Sequence, residues 1–365
     1  MNATEKMILN LIRKNKKLSN TEITKISGKH KSTISPCIQS LLKDGYIISA
    51  GTGSSTKKGG KPPLFLELNP KKLFTVGLSI EPEQITAIVT DFCGKIIQTH
   101  YSTYTDKNST DSIISDIRDI FFHIITKESV PKDKIEGLGI GVSAQVDSKN
   151  GIIYKSESLK LTNVRLKERI EEYIPFPVKI INDVNASLLA EKWFVHDLNN
   201  VQYENFIYLF IGSTLQNMGI GIYLNNQLYE GSNHHAGEMR YYLTDKRLKS
   251  SLPSDEELGN FTIDKVKDFL NEDNKPVKKL LSIYSEIITE KMIDSIELLN
   301  PQKLIIGGNV INAEEEFLNP LINTIKSKTD AFFEDFLQID VSKSELDELA
   351  TPLGAITLFL SPYFK

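Results

Sequence analysis

Cysteine is nearly absent: the 365 residues hold only Cys37 and Cys93. Two thiols exclude a disulfide framework and a four-cysteine zinc site. They read as buried or half-buried free thiols in a reducing cytosol. Long apolar runs are also missing. None approaches the ~20 residues that a membrane helix needs, so a membrane-spanning class is excluded and no membrane partner is expected. The opening MNATEKMILNLIRKNKK breaks its apolar residues with an acid and lysines, so it does not read as a secretory signal, and the expected location is cytoplasmic. What remains is 40% apolar and 25% charged, the composition of a soluble globular chain. The length favours two or three domains.

The net charge of -4 hides an asymmetry. Residues 1–68 carry twelve Lys and Arg against four Asp and Glu, a balance of +8, and the remainder stands at −12. A basic head on an acidic body suggests that the head alone meets a polyanion, although a solvated basic surface would look the same by charge.

Periodicity decides between those readings. Thr4 is placed to cap a helix with Met7, Ile8, Leu11 and Ile12 as its apolar stripe. Ser19-Asn20-Thr21-Glu22 reads as a capping box opening a second helix with Ile23 and Ile26 inward. Gly28 supplies the positive φ of a tight turn. A third helix runs from about Ser32 to Lys43, with Ile34, Ile38, Leu41 and Leu42 inward and Gly45 as its stop. Pro36 is tolerable only in the first turn, which argues for a start at Ser32 or Thr33. Three short helices in this order are the pattern of a helix-turn-helix. Its outward residues Lys31, Ser32, Thr33, Ser35, Gln39 and Lys43 suit base edges and phosphates. Two strands, 46–49 and 64–68, flank the tip GTGSSTKKGGKPP, a wing that would bring Lys57, Lys58 and Lys61 to phosphate.

From Lys71 strands alternate with helices. Strands are expected at 73–80, 85–91, 95–101 and 136–142, with a helix over 109–127 after the third. A short strand at 178–181 feeds a helix over 184–195. Strands at 206–211, 218–224 and 303–306 and a last helix from Leu353 follow. A three-strand meander, then β/α units, then a second similar set, predicts an α/β body of two related lobes around a cleft.

Five segments carry a family likeness. They are Gly139-Ile-Gly-Val-Ser-Ala-Gln-Val-Asp147, Ile181-Asn-Asp-Val-Asn-Ala-Ser-Leu-Leu-Ala-Glu191, Glu230-Gly-Ser-Asn-His-His-Ala-Gly-Glu238, Leu304-Ile-Ile-Gly-Gly-Asn309 and Pro352-Leu-Gly-Ala355. In this order and spacing they resemble the landmark motifs of the ROK family, repressors and sugar kinases of the actin-like ATPase (ribonuclease H-like) fold. Gly59-Gly-Lys-Pro-Pro63 and the helices before it are similar to the DNA-binding head of the family's repressors. The resemblance implies a winged helix-turn-helix over residues 1–69 and a sensor body over 70–365. One lobe would span about 70–183 plus the C-terminal helix 351–365, and the other 184–350.

The likeness also sets expectations for the site. Asp183 matches the family's catalytic base, and Asn182, Asp183 and Glu238 match its sugar-binding residues. Vicinal hydroxyls suit such groups, since each can donate to a carboxylate and accept from an amide. Asn182-Asp183 could equally be a helix cap that needs no ligand. Ser143-Ala144 replaces the family's Pro-Gly, Ser158 falls near an expected pocket Asn, and Arg240 and Tyr241 follow Glu238 where a small residue and a His are usual. Ser143 and Arg240 therefore join the expected effector pocket. The phosphate loops depart further. Ser79 stands for an acid, Pro82 lacks an amide, Glu81 and Glu83 repel phosphate, and Leu215 and Gln216 replace glycines. The family's zinc site is not expected, because Tyr241 stands for its His and no cysteine follows Cys93; His234 and His235 read as loop residues. The expectation is a homodimeric regulator of carbohydrate-related genes, a repressor rather than an activator by resemblance only. It would take a sugar or sugar-derivative effector, with no cofactor, metal or kinase activity. A regulator with a vestigial pocket and a sugar kinase are the alternatives.

Overall fold

A computed structural model describes the chain except residues 53–62, 83, 128–129, 200–201, 215–216, 240–244, 252–261, 263–274, 334–338 and 347. Among the described residues no helix is long and apolar enough to cross a membrane. The chain divides into two compact units. The first holds Met1–Asp183, Lys192–Val201 and Pro352–Lys365, and the second holds Val184–Glu191 and Gln202–Thr351.

The head opens the first unit with α1 (Ala3–Asn15), β1 (Lys17–Ser19), α2 (Asn20–Ser27), α3 (Lys31–Lys43), β2 (Ile47–Thr52) and β3 (Leu64–Leu68). Asn2, not Thr4, caps α1, because Glu5 stands three residues on and closes a capping box with it. Ile8, Leu9 and Ile12 form the buried stripe, while Met7 and Leu11 are half-buried. Ser19 and Glu22 make the expected box on α2, and Gly28 at φ 64° ends it. Ile23 is buried but Ile26 is 52% exposed, contrary to the expected inward pair, because the short helix turns its last residues away from the core. The stretch between the first two helices holds β1, which pairs with β3 to give a sheet of order β1-β3-β2. Cys37 is half-buried as expected, but Cys93 is exposed.

The third helix begins at Lys31, earlier than the expected Ser32 or Thr33. The Pro36 ring therefore sits in the second turn, where the carbonyl of Ser32 loses its helical donor, a defect that typically costs about 3 kcal/mol. At the far end the amides of Tyr46 and Gly45 reach the carbonyls of Leu41 (2.9 Å) and Leu42 (3.1 Å). Gly45 at φ 72° permits that closure.

The rest of the first unit is built on β4 (Phe74–Ile80), β5 (Ile85–Asp91), β6 (Ile96–Ser102) and β7 (Ile135–Val142). A small sheet of β8 (Gln145–Asp147), β9 (Ile152–Ser156) and β10 (Leu161–Val164) follows, and then β11 (Val178–Asn182). The main sheet has five strands in the order β11-β7-β4-β5-β6. Helix α4 (Thr110–Lys127) buries Ile113, Ile117, Phe121 and Ile124 in one core with Val76, Leu78 and Leu138. The C-terminal helix Ala350–Leu360 packs backbone against backbone on the sheet. A Cβ on Gly77 would stand 2.3 Å from the Pro352 carbonyl oxygen, and one on Gly139 would stand 2.3 Å from that of Ala355.

The second unit repeats this plan. Its strands are β12 (Phe206–Ile211), β13 (Met218–Leu224), β14 (Gln227–Leu228), β15 (Lys303–Gly307) and β16 (Asp340–Lys343), in the order β14-β13-β12-β15-β16. As in the first sheet, a meander of three strands is followed by two parallel ones. Leu280, Tyr284 and Ile288 of the helix Lys275–Leu299 pack with Ile207, Leu209, Leu304 and Ile306.

Gly139→Ala is expected to lower stability by about 1–3 kcal/mol, the usual cost of overpacking. The readout is the urea midpoint. An unchanged midpoint would mean that the C-terminal helix can lift without loss.

Candidate functional site

On α3 the side chains of Lys31, Ser32, Thr33, Gln39 and Lys43 are exposed, and Ile34, Ile38 and Leu41 hold the opposite face in the core. Ser35 is half-buried and accepts a hydrogen bond from Asn20 Nδ2 at 3.2 Å, which ties α2 to α3. The two strands of the wing are present, paired antiparallel with an irregularity between Ser49 and Thr52. Lys57, Lys58 and Lys61 lie outside the described residues.

The head is seated by a side chain that periodicity does not single out. Arg13, on α1, is buried. It donates to the Trp193 carbonyl (3.1 Å) and to Asp197 Oδ2 (3.3 Å), and its guanidinium lies 3.9 Å from the centre of the Trp193 ring. Lys192 Nζ holds the other oxygen of Asp197 at 2.9 Å. Burial lowers the Arg13 pKa, and the Asp197 carboxylate opposes that shift. Beside this clamp Tyr46, Phe92, Tyr363 and Phe364 form one aromatic cluster, with Lys72 Nζ 4.2 Å from the Tyr46 ring centre. The signal in the sequence is an arginine adjoining an apolar stripe, together with the chain's single tryptophan.

Further along the first unit, the carboxyl ends of the parallel strands β4, β7 and β11 gather the expected pocket residues. Val142 pairs with both Ile80 and Asn182, which sets the residues after these strands side by side. Asn182 Nδ2 donates to the Ala144 carbonyl at 3.0 Å and to Asp183 Oδ1 at 2.9 Å. Asp183, 4% exposed, opens the helix Asp183–Ala190. The Ser143 amide donates to the Ile80 carbonyl, and Ser156 Oγ donates to the Ser143 carbonyl at 2.7 Å. Ser158 Oγ lies 3.3 Å from Ser156 Oγ, so the structure brings Ser143, Ser158, Asn182 and Asp183 into one neighbourhood. Glu238 belongs to the second unit. It is exposed, bridges to Gly219 and donates its amide to the His235 carbonyl at 3.2 Å. The adjacent Gly237, at φ 83°, must be glycine, since a Cβ there would meet the Ile220 carbonyl oxygen at 1.7 Å. Arg240 and Tyr241 lie outside the described residues.

Both loops compared with phosphate cradles are closed on themselves. After β4, Ser79 Oγ donates to Glu81 Oε1 at 2.8 Å. The Glu81 amide donates to the Gln84 carbonyl, and Tyr104 OH donates to the Glu81 carbonyl. After β12, the Gly212 amide donates to the Asn217 carbonyl at 2.7 Å, and a Cβ on Gly212 would meet Asn217 Nδ2 at 2.4 Å. Leu215, Gln216 and Glu83 lie outside the described residues. Among the described residues no three His, Cys, Asp or Glu side chains form a group that could hold a metal ion.

Two repeats of an actin-like sheet are a body plan shared by regulators and sugar kinases, and the winged helix-turn-helix in front of it defines the regulator class. The chain belongs to the ROK family, whose profile matches residues 75–251 and 242–361, and a winged helix-turn-helix DNA-binding profile matches residues 1–48. Similar curated proteins include the xylose repressor of Caldicellulosiruptor bescii, 25% identical over 97% of this chain and 94% of that one. The xylose repressor of Bacillus subtilis is 26% identical over 89% of this chain and 86% of its own. Among solved structures, a ROK family transcriptional regulator homologous to the E. coli MLC protein superposes over 99% of this chain and 96% of that chain. Its TM-score is 0.74 at 18% identity. A ROK hexokinase from Thermus thermophilus covers 78% of this chain and 96% of its own, with a TM-score of 0.59 at 17% identity.

Arg13→Ala is expected to cost about 2–3 kcal/mol, because the buried Trp193 carbonyl loses its donor while Asp197 keeps Lys192. Hydrogen exchange should quicken in α1 and leave β4 and β7 protected. Equal loss of protection in all three would show that the clamp does not seat the head.

Proposed function

We propose that this protein is a DNA-binding transcriptional repressor of carbohydrate-related genes, released from its operator by a sugar or sugar derivative. The observation that carries the reading is the head: a complete helix-turn-helix with two wing strands, whose third helix turns Lys31, Ser32, Thr33 and Gln39 to solvent. Ser35 and the wing residues Lys57, Lys58 and Lys61 complete the proposed DNA-contacting set. The active form is a homodimer in the cytoplasm, which sets two reading helices about one helical turn (~34 Å) apart on a near-palindromic operator. The proposed boundaries are residues 1–69 for the head and 70–365 for the sensor body. Lobe one takes about 70–183 and 351–365, and lobe two takes 184–350.

The proposed effector-binding residues are Ser143, Asn182, Asp183, Glu238 and Arg240. Asn182 and Asp183 supply the amide and carboxylate that sugar hydroxyls require, and Arg240 would favour an anionic derivative. Xylose is the first effector to test, since the curated relatives named above are xylose repressors. An effector lowers DNA affinity only by its differential affinity for the DNA-competent and incompetent states. A typical coupling of ~1–3 kcal/mol would shift operator affinity roughly 5–150-fold.

The same reading excludes phosphoryl transfer. Backbone amides that already serve the Gln84 and Asn217 carbonyls are not available to a nucleotide.

Four experiments test the proposal. Neutralising Lys57, Lys58 and Lys61 together should weaken binding to every duplex and lower the salt slope by about 3, one for each phosphate no longer neutralised. An unchanged slope would remove the wing from the interface. Asp183→Asn should leave operator binding intact and abolish release by the effector. Normal release by that variant would place the effector elsewhere. If no sugar, sugar phosphate or polyol raises the melting temperature of the wild type, the protein is an effector-independent regulator. ADP release with any sugar in a coupled assay would make it a kinase.

A further inference from the structure

The outward face of α3 holds one residue that a phosphate-gripping or hydrogen-bonding role leaves unexplained. At 3.6 residues per turn, Ser32, Pro36, Gln39 and Lys43 fall on one stripe opposite the buried Ile34, Ile38 and Leu41. All four are exposed, and Pro36 lies in the middle of them. Its position within the helix removes the donor to the Ser32 carbonyl. Because the ring is exposed, it is not buried in the core in exchange for that loss. The neighbouring Ser35 is held by Asn20 and does not share the position.

We infer that Pro36 is a base-reading residue that takes the 5-methyl group of a thymine in the major groove of the operator. The inference rests on the proposed DNA-binding function and names part of what that interface recognises. The proline ring has neither a donor nor an acceptor. Pressed against the N7 and O6 of guanine, the N4 of cytosine or the N7 and N6 of adenine, it would strip water from polar groups and return nothing. Thymine alone offers an apolar group at that edge. Gln39, less than one turn further on, is matched to the N6 and N7 of adenine. The centre of the α3 face is therefore built for adjacent A·T pairs, with the thymine fixed by shape and the adenine by hydrogen bonds.

The test uses the full chain. An operator is first selected from a random duplex pool, and each thymine of one half-site is then replaced singly by deoxyuridine, which removes only the methyl group. Wild type is expected to lose about fourfold in affinity at one thymine, the worth of one buried methyl. Pro36→Ser and Pro36→Ala both restore an amide donor and raise helix propensity, so neither threatens the fold. Pro36→Ser should bind the thymine and deoxyuridine forms of that position equally, whereas Pro36→Ala, itself apolar, keeps part of the preference. Indifference of the wild type to deoxyuridine at every position, or the same loss in both variants, would overturn the inference while leaving DNA binding in place. A pool from which nothing is enriched would remove the DNA-binding function, and this reading of Pro36 with it.

Discussion

A close approach of backbone to backbone in the first unit fixes much of what surrounds it. The C-terminal helix rests on β4 and β7 at Gly77, Gly137 and Gly139, where a side chain would strike Pro352, Phe359 or Ala355. With the helix held at that depth, its end is held too. Tyr363 OH donates to Glu136 at 2.7 Å, and Phe364 stacks on Phe92 and meets the edge of Trp193. Those rings, with the Trp193 carbonyl and Asp197, make the seat that receives Arg13 and Tyr46 from the head. A DNA-reading module is thus anchored by residues from the far end of the chain. The anchoring is aromatic and cationic, and most of it is out of water, where such contacts are strongest.

That dependence explains what the sequence can and cannot tell. Strands whose two faces are both buried, such as β5 and β12, read as short apolar runs, and their expected bounds match the structure to the residue. Capping boxes are local, so Ser19 and Glu22 are legible, while at α1 the choice between Asn2 and Thr4 turns on the position of Glu5. Strand β1 carries no periodicity in three residues and exists only because β3 offers it a partner. Ile26 has the spacing of a core residue, but the helix ends before the core reaches it. The glycines are visible as motif letters, and their physical reason, the helix pressed on them, is tertiary. Among the site residues, Ser143, Asn182 and Asp183 are grouped in the sequence only by the family resemblance, and the structure supplies the reason, since each ends or follows a parallel strand. Arg13 cannot be grouped from the sequence, because its partners lie 180 and more residues away.

A ROK regulator and a ROK hexokinase share this scaffold, and the proposed absence of phosphoryl transfer rests on the backbone amides of two loops. An amide cradle works only while its donors are unspent. In this chain the turn after β4 spends the Glu81 amide on Gln84, has no amide at Pro82, and swings the Glu81 carboxylate onto the hydroxyl of Ser79. The loop after β12 spends Gly212 on Asn217 and covers its Cα with the Asn217 side chain. Neither change disturbs the sheet, because each satisfies the loop's own polar groups. Asn182 and Asp183 at the end of β11 keep side chains suited to hydroxyls. Under the proposed function Asn182 and Asp183 bind the effector at the end of β11, and the closed loops after β4 and β12 leave those groups intact. A regulator can therefore arise on this fold through local loop chemistry, with the sheet and its glycine contacts unchanged.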